Sequence, residues 1–274
     1  PHQQAASLHP FLPGPAPKLQ NGNCHVRVKR LNRHRYAIYN RRQFTWEGTM
    51  KLYMHPVSTT SRPVMQFIAD NDIKCDMEVV DILKGQHYEP AYSKINPNHL
   101  IPMLEDGDFR LTESAAILRY LAEKIDSPTY PKDIKQRARV NEVMDWFNSN
   151  FYRDWGYGLI YPQLFPHLKR EDAKVQDAVV AYGKEKSKIW LQILNDHFIG
   201  PNNKYLCGNQ LTVADYFGPA ITTAGELVHC DFSVYPNIKR WLDSFNAGPN
   251  YAKVYETFTG FCASTKGQAW QAIT

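Results

Sequence analysis

Asn96-Pro97-Asn98-His99-Leu100-Ile101-Pro102-Met103-Leu104-Glu105-Asp106-Gly107-Asp108-Phe109-Arg110-Leu111-Thr112-Glu113-Ser114-Ala115-Ala116-Ile117-Leu118 is the stretch that decides the fold. A short apolar run behind a proline meets Asp106-Gly107, then a second short run, then an abrupt change to helical spacing. Asp-Gly between two such runs is a strong hairpin signal, because the tight turn needs residues that tolerate positive φ. Thr112 is placed to cap the helix that follows, with Glu113 in its first turn, where the helix dipole favours a carboxylate. The amides at that helix start form a ready anion site, and Ser114 adds a hydroxyl.

Upstream, Lys51 to Met54 is a short strand candidate, followed by the loop His55-Pro56-Val57-Ser58-Thr59-Thr60. A helical pattern runs from Ser61 through Val64, Phe67, Ile68 and Ile73. Glu78-Val79-Val80-Asp81-Ile82 is β-rich, Lys84-Gly85-Gln86-His87 is a polar loop, and a short helix fits Glu89 to Lys94. The order β-α-β, then α-β-β-α, is that of a thioredoxin-like α/β domain with a mixed sheet. Downstream, Ser127-Pro128-Thr129-Tyr130-Pro131-Lys132-Asp133 is a linker by its prolines. Beyond it Val140, Val143, Met144, Phe147 and Phe151 recur at helical steps, and so do 179–198, 213–227 and 238–245. Thr212-Val213-Ala214-Asp215 is a capping-box variant with Leu211 as staple. The expected division is a basic tail over 1–48, a thioredoxin-like domain over 49–126, a linker over 127–135, an all-α domain over 136–265 and a C-terminal tail over 266–274.

With 274 residues the chain is comfortable for two domains, each able to bury a core. No apolar run is long enough to span a bilayer, so a soluble body with no membrane partner is expected. Cys24, Cys75, Cys207, Cys230 and Cys262 are an odd number without metal-ligand spacing, which points to reduced thiols in a cytosol-like compartment. The net charge of +5 is unevenly spread. Residues 1–48 hold Lys18, Arg27, Lys29, Arg30, Arg33, Arg35, Arg41 and Arg42 against Glu47 alone, a net of +7, which leaves −2 for the rest. That near-neutral body has no basic stripe interleaved with aromatics, so nucleic acid is not an expected partner. The Pro- and Arg-rich tail lacks the apolar core of a secretory signal. A transit peptide is one reading; a cloning or upstream-translation segment ahead of a start at Met50 is the preferred one. It is expected to pack poorly and to be dispensable.

From about Met50 to Gly260 the sequence resembles the cytosolic glutathione S-transferases, and within them the theta class. Four features in order carry the resemblance: Leu52-Tyr53 leading to Ser58 and Arg62; the loop Lys84-Gly85-Gln86-His87; Thr112-Glu113-Ser114; and Tyr130-Pro131-Lys132-Asp133 running into Arg137-Ala138-Arg139-Val140. The resemblance implies an enzyme with glutathione as co-substrate and a small hydrophobic electrophile, working as a homodimer in the cytoplasm. It implies a cis peptide before Pro102 that aims the backbone of Ile101 at the tripeptide. Glu113 and Ser114 would hold the γ-glutamyl end, and His87 the glycine carboxylate. The family commonly carries a lysine where Leu100 stands, so a weaker or different grip on the glycine end is expected.

Ser58 lies where theta-like enzymes place the hydroxyl that activates the thiol. The thiolate is the nucleophile, and a free thiol has a pKa of about 8.5. A hydrogen bond to the charged sulfur is worth roughly 1.5–3 kcal/mol, and one pKa unit is about 1.36 kcal/mol. One hydroxyl can therefore lower the thiol pKa by roughly one to two units. Thr59, Thr60 and Ser61 are neighbouring hydroxyls that compete for this role, and Tyr53 is a weaker rival. Ser58 is otherwise a loop serine or helix cap. The loop has no cysteine, which argues against disulfide chemistry. Arg62 is expected to be structural, tying its helix to the body of the domain. Of the aromatic series Phe147, Phe151, Tyr152, Trp155, Tyr157, Tyr161 and Phe165, most belong to a core; the resemblance implies that later members line the electrophile pocket, and Phe151, Tyr152 and Trp155 are the named candidates.

The function expected is attack of glutathione thiolate on an alkyl halide, epoxide or activated aromatic, with reduction of hydroperoxides as a side activity. The rivals are a non-catalytic binding or interaction module on the same fold, and a glutathione-dependent lyase or isomerase. Fold alone does not separate them.

Overall fold

The computed structural model describes residues 50–274. The expectations for the tail over 1–48, Cys24 included, lie outside the described residues.

Four strands form one mixed sheet in the order β2-β1-β3-β4. The central strand β1 (Met50–Met54) runs parallel to β2 (Cys75–Val79) and antiparallel to β3 (Met103–Asp106), which hairpins into β4 (Phe109–Thr112). Gly107 holds the hairpin turn at a φ of 65°, the region glycine enters without penalty. Alternation divides the sheet's faces. Leu52 and Leu104 join the main core with Val64, Phe67, Ile117 and Leu121, whereas Tyr53 and Met103 pack with Val80 and Tyr92 on the other side. The first face is covered by α1 (Arg62–Asp70) and α3 (Ser114–Lys124); the short α2 (Pro90–Ser93) lies between β2 and β3 in the chain.

Two sequence expectations shift here. The second strand is Cys75–Val79, not 78–82. Val80 gives one last bond to the Met54 carbonyl, and then the Asp81 carboxylate accepts the amides of Leu83 and Lys84 and turns the chain. Thr112 does not cap α3, because it is the last residue of β4. Glu113 takes the cap position at φ 67° with no side-chain cap bond.

The helical half begins at α4 (Ile134–Trp146), whose amides at Lys135 and Gln136 donate to the Asp133 side chain. Its course continues through two widened turns, 147–151 and 155–160, that flank α5 (Tyr152–Asp154) and lead into α6 (Tyr161–Leu164). Then come α7 (Ala173–Ile193), α8 (Ala214–Thr222), α9 (Pro236–Asn246) and α10 (Tyr251–Ser264). Backbone meets backbone where the second widened turn crosses α7. A Cβ added at Gly183 would stand 2.3 Å from the Gly158 carbonyl carbon, so only glycine fits there.

Half of the expected capping box forms. Asp215 receives the Thr212 amide at 3.0 Å, but the Thr212 hydroxyl donates to the same carboxylate at 2.9 Å instead of capping an amide. Leu206 N and Trp241 Nε1 donate to its other oxygen at 2.8 and 3.1 Å. Burial pushes this carboxyl up to about 6 against those four donors, so the ionised form prevails at neutral pH.

Arg62 joins the two halves. It is fully buried, donates to Thr223 Oγ1 and to the Ala220 carbonyl, both at 3.2 Å, and lies under the rings of Phe258 and Tyr255 at 3.5 and 4.7 Å. The role is structural, as expected, but where a tie from its helix to the body of its own domain was expected, its partners Thr223, Ala220, Tyr255 and Phe258 all lie in the helical half.

Candidate active site

A cleft of about 300 Å³ opens between the α3 start, the chain entering β3, and the first helices of the second half. Glu113 and Ser114 line it from the α3 N-terminus, Ile101 and Pro102 from the β3 entry, and Thr60 from the loop after β1. The Ile101–Pro102 peptide is cis. Asn148, Tyr152 and Tyr157 form the opposite wall. Glu113 is the only charged residue among the described residues that line the cleft.

The loop hydroxyls are sorted by their bonds. Ser61 is buried and its oxygen accepts the His55 amide at 3.4 Å, so it faces inward. Thr59 accepts a hydrogen bond from Tyr161 Oη at 2.8 Å, in the helical half. Ser58 Oγ accepts the Ser61 amide at 3.2 Å, in the turn just ahead of α1, and lies 3.1 Å from Thr60 Oγ1. Thr60 donates to the Ile101 carbonyl at 3.0 Å and lines the cleft. Since Thr60 has given its one proton to Ile101, Ser58 is the donor of this contact, and the two stand as a coupled pair, Thr60 at the wall and Ser58, 9% exposed, just behind it. The Ser114 hydroxyl donates to the Thr60 carbonyl at 2.7 Å, which ties the helix start to the same loop. Its proton is therefore committed there, and the α3 amides are the donors left for an anion.

His87 does not line the cleft. Its ring packs on Tyr88 at 4.0 Å between centroids, and its Nδ1 is buried without a hydrogen-bond partner. Burial, then the nearby His167 and His99, hold its pKa below the ordinary imidazole value, so it is neutral at pH 7. His99, at φ 54°, turns its Nδ1 to Ser93 Oγ and the His87 carbonyl, at 3.2 and 3.1 Å. Leu100 lines the cleft and is 57% exposed, with its carbonyl held by Tyr92 Oη and Asn96 Nδ2, each at 2.7 Å.

The aromatic wall differs from expectation. Phe151 and Trp155 are fully buried and do not line the cleft. With Phe147 they follow four-residue steps into the core, where Trp155 Nε1 donates to the Ile221 and Thr222 carbonyls. Tyr152, one step off that stripe, does reach the cleft, and Tyr157 joins it. Gly156 makes the room, since a Cβ there would lie 2.5 Å from the Tyr152 ring. Burial, then Glu113 across the cleft, raises the Tyr157 hydroxyl above the ordinary tyrosine value. Asn96, Asn98, Thr112 and Asn148 are lining residues that sequence reasoning missed, while Tyr157 is one of the later members of the aromatic series expected to reach the pocket. The turn in which the Asn98 amide donates to Asn96 Oδ1 at 3.0 Å is a legible Asn-Pro-Asn signal.

Comparison with known proteins agrees with this geometry. Residues 48–123 match the family model for the glutathione S-transferase N-terminal domain, and residues 159–249 match that for the C-terminal domain. The chain belongs to the glutathione S-transferase family. It is 37% identical to human (Homo sapiens) glutathione S-transferase theta-1 over 206 residues, covering 72% of this chain and 82% of that protein. It is 36% identical to human theta-2B over 168 residues, 61% of this chain and 67% of that one. A human theta-class transferase solved with the glutathione conjugate of 1-menaphthyl sulfate superposes with a TM-score of 0.71 at 30% identity, over 80% of this chain and 89% of that one. A delta-class transferase of Nilaparvata lugens gives 0.68 at 31% identity, over 79% and 98%. The relationship is thus to the theta class, and the enzyme is a glutathione transferase with glutathione as co-substrate.

Proposed function

We propose that glutathione lies in this cleft with its γ-glutamyl end at the α3 N-terminus and its cysteine beside Ile101, and that the Ser58–Thr60 hydroxyl pair activates its thiol. The observation that carries this reading is the convergence on one cleft of the α3 N-terminus, Ile101 and Thr60, with Ser58 bonded to Thr60 just behind the wall. Glu113 faces the γ-glutamyl ammonium. The thiolate attacks an electrophilic carbon, the carbon–sulfur bond forms as the bond to the leaving group breaks, and the thiol proton passes to water. Alkyl halides, epoxides and activated aromatics are the substrate class, set against Tyr152 and Tyr157, with hydroperoxide reduction as a side activity. A homodimer in the cytoplasm fits the family resemblance and the four described cysteines, all of them free. An ultraviolet titration of bound glutathione should reveal thiolate at neutral pH; its absence would favour a binding module.

Two affinities test the placement. Ser114→Ala loosens the α3 start from the loop, and calorimetry should register a loss of glutathione affinity of about 2–10-fold, the worth of one hydrogen bond. An unchanged binding constant removes Ser114 from the site. Leu100→Lys brings a cation to the rim of a cleft that has only Glu113 as a charge. Glutathione should then bind about 2–5-fold more tightly at low salt, with the gain fading as salt is raised. A gain that ignores salt, or no gain, separates the glycine end from Leu100. His87, neutral and turned to Tyr88 outside the cleft lining, brings no cation to the glycine end, which gives the added lysine its leverage.

A further inference from the structure

Beyond its local bonds, the 58–60 loop is tied to distant parts of the chain by three hydrogen bonds, and one of them comes from the helical half. Ser114 donates to the Thr60 carbonyl, Thr60 donates to the Ile101 carbonyl, and Tyr161 donates to Thr59 Oγ1. The Tyr161 hydroxyl is itself 2.7 Å from that of Tyr152, which lines the cleft. Each phenol has a single proton. Since that of Tyr161 goes to Thr59, Tyr152 supplies the proton of the second bond. The chain therefore has one direction, Tyr152 to Tyr161 to Thr59.

We infer that Tyr161 is a positioning residue for thiol activation, and that Tyr152 behind it couples the electrophile wall to the loop carrying the activating hydroxyl. The inference rests on the proposal that the Ser58–Thr60 pair activates the thiol. Thr59 sits between those two residues in the chain, so fixing its side chain fixes the two peptides that aim their hydroxyls. Catalytic steps of this kind are steep in geometry, and a 1 Å misplacement can cost about 10²-fold in rate.

Several observations make the chain a built feature. The rings of Tyr152, Tyr157 and Tyr161 meet edge to face, at 5.2 to 5.9 Å between centroids. Gly156 leaves space for the Tyr152 ring. Burial raises the Tyr161 hydroxyl to about 12 and that of Tyr152 well above its ordinary value, so both stay protonated donors at working pH. Consecutive hydrogen bonds in a dry site also polarise one another. An electrophile that presses on Tyr152 is therefore two hydrogen bonds from Thr59.

The experiment is a double-mutant cycle on Tyr161→Phe and Thr59→Val, read by the pKa of bound glutathione's thiol and by the pH dependence of kcat/KM. Each single variant should raise the thiol pKa by about half a unit to one unit and lower neutral-pH turnover about 3–10-fold. Glutathione affinity should hold within about twofold. The double variant should be no worse than either single one, because both remove the same bond. Thr59→Ser keeps the acceptor and should restore the parental profile. Additive effects, or a Tyr161→Phe profile that overlays the parent while Ser58→Ala shifts it, would overturn the inference alone. If Ser58→Ala and Thr60→Ala both leave the profile in place, the activation reading falls, and the inference with it. Gly156→Ala, which drives a methyl into the Tyr152 ring and crowds that of Tyr161, should reproduce the shift without touching a hydroxyl, and Tyr152→Phe should reproduce part of it; no shift with either removes Tyr152 from the chain.

Discussion

Ser58→Ala should raise the pKa of bound glutathione's thiol by roughly one to two units, and turnover near neutral pH should fall by one to two orders of magnitude. The magnitude follows from one charge-assisted hydrogen bond, roughly 1.5–3 kcal/mol, at about 1.36 kcal/mol per pKa unit. The sign is fixed by the charged form. A donor stabilises thiolate over thiol, so losing it raises the pKa and shrinks the thiolate fraction at every pH below it. Rates of parent and variant should converge at high pH, where both thiols are ionised, and glutathione affinity should change little. Thr60→Ala is the companion measurement, since Thr60 stands at the cleft wall and Ser58 behind it. If the large shift appears only with Thr60→Ala, the donor is Thr60, its proton turned from the Ile101 carbonyl to the sulfur when glutathione binds. If Ser58→Ala leaves the pH–rate profile in place, the assignment to Ser58 is wrong.

Asp215→Asn should be the most destabilising single change of similar shape in the helical half, costing about 3–5 kcal/mol. Its carboxylate accepts from four donors, two on each oxygen, within a fully buried site. An ionised carboxylate is acceptor-only and matches that set. An amide puts its own N–H groups against two of the donors and leaves at least the Thr212 amide or the Trp241 indole without an acceptor. Thermal unfolding should move down by roughly 10 °C or more at neutral pH, at about 2–4 °C per kcal/mol for a body of this size. A fall of under about 1 kcal/mol would show that the carboxylate is not holding α8 and α9 to the preceding loop.

How far this was legible in the sequence follows the reach of each signal. The hairpin at Asp106-Gly107, the helix start at Ser114 and the two-part architecture rest on local turn chemistry and periodicity, and the structure has them. The second strand slid by three residues because 78–82 is the more β-branched stretch, while parallel pairing to β1 and the Asp81 turn favour 75–79. The pocket wall was harder. Stepping by four from Phe147 reaches Phe151 and Trp155, and both lie in the core. The widened turns at 147–151 and 155–160 rotate the face presented to the cleft, and no composition signal announces such turns. Tyr161 and Thr59, 102 residues apart, meet only through the packing of one half on the other.

Arg62 bears on how substrates reach the cleft. A guanidinium without exposed surface, bonded to Thr223 and Ala220 and roofed by Phe258 and Tyr255, has no water to turn to if the halves part. Spreading them would strip a cation of its partners before solvent could replace them, so the seam behind the cleft behaves as a weld and not as a hinge. The gap between α3 and the tyrosine wall is accordingly of fixed width. If glutathione and its electrophile bind here as proposed, their selection falls to the exposed lining side chains Leu100, Asn98 and Tyr157, and any breathing of the site belongs to those side chains.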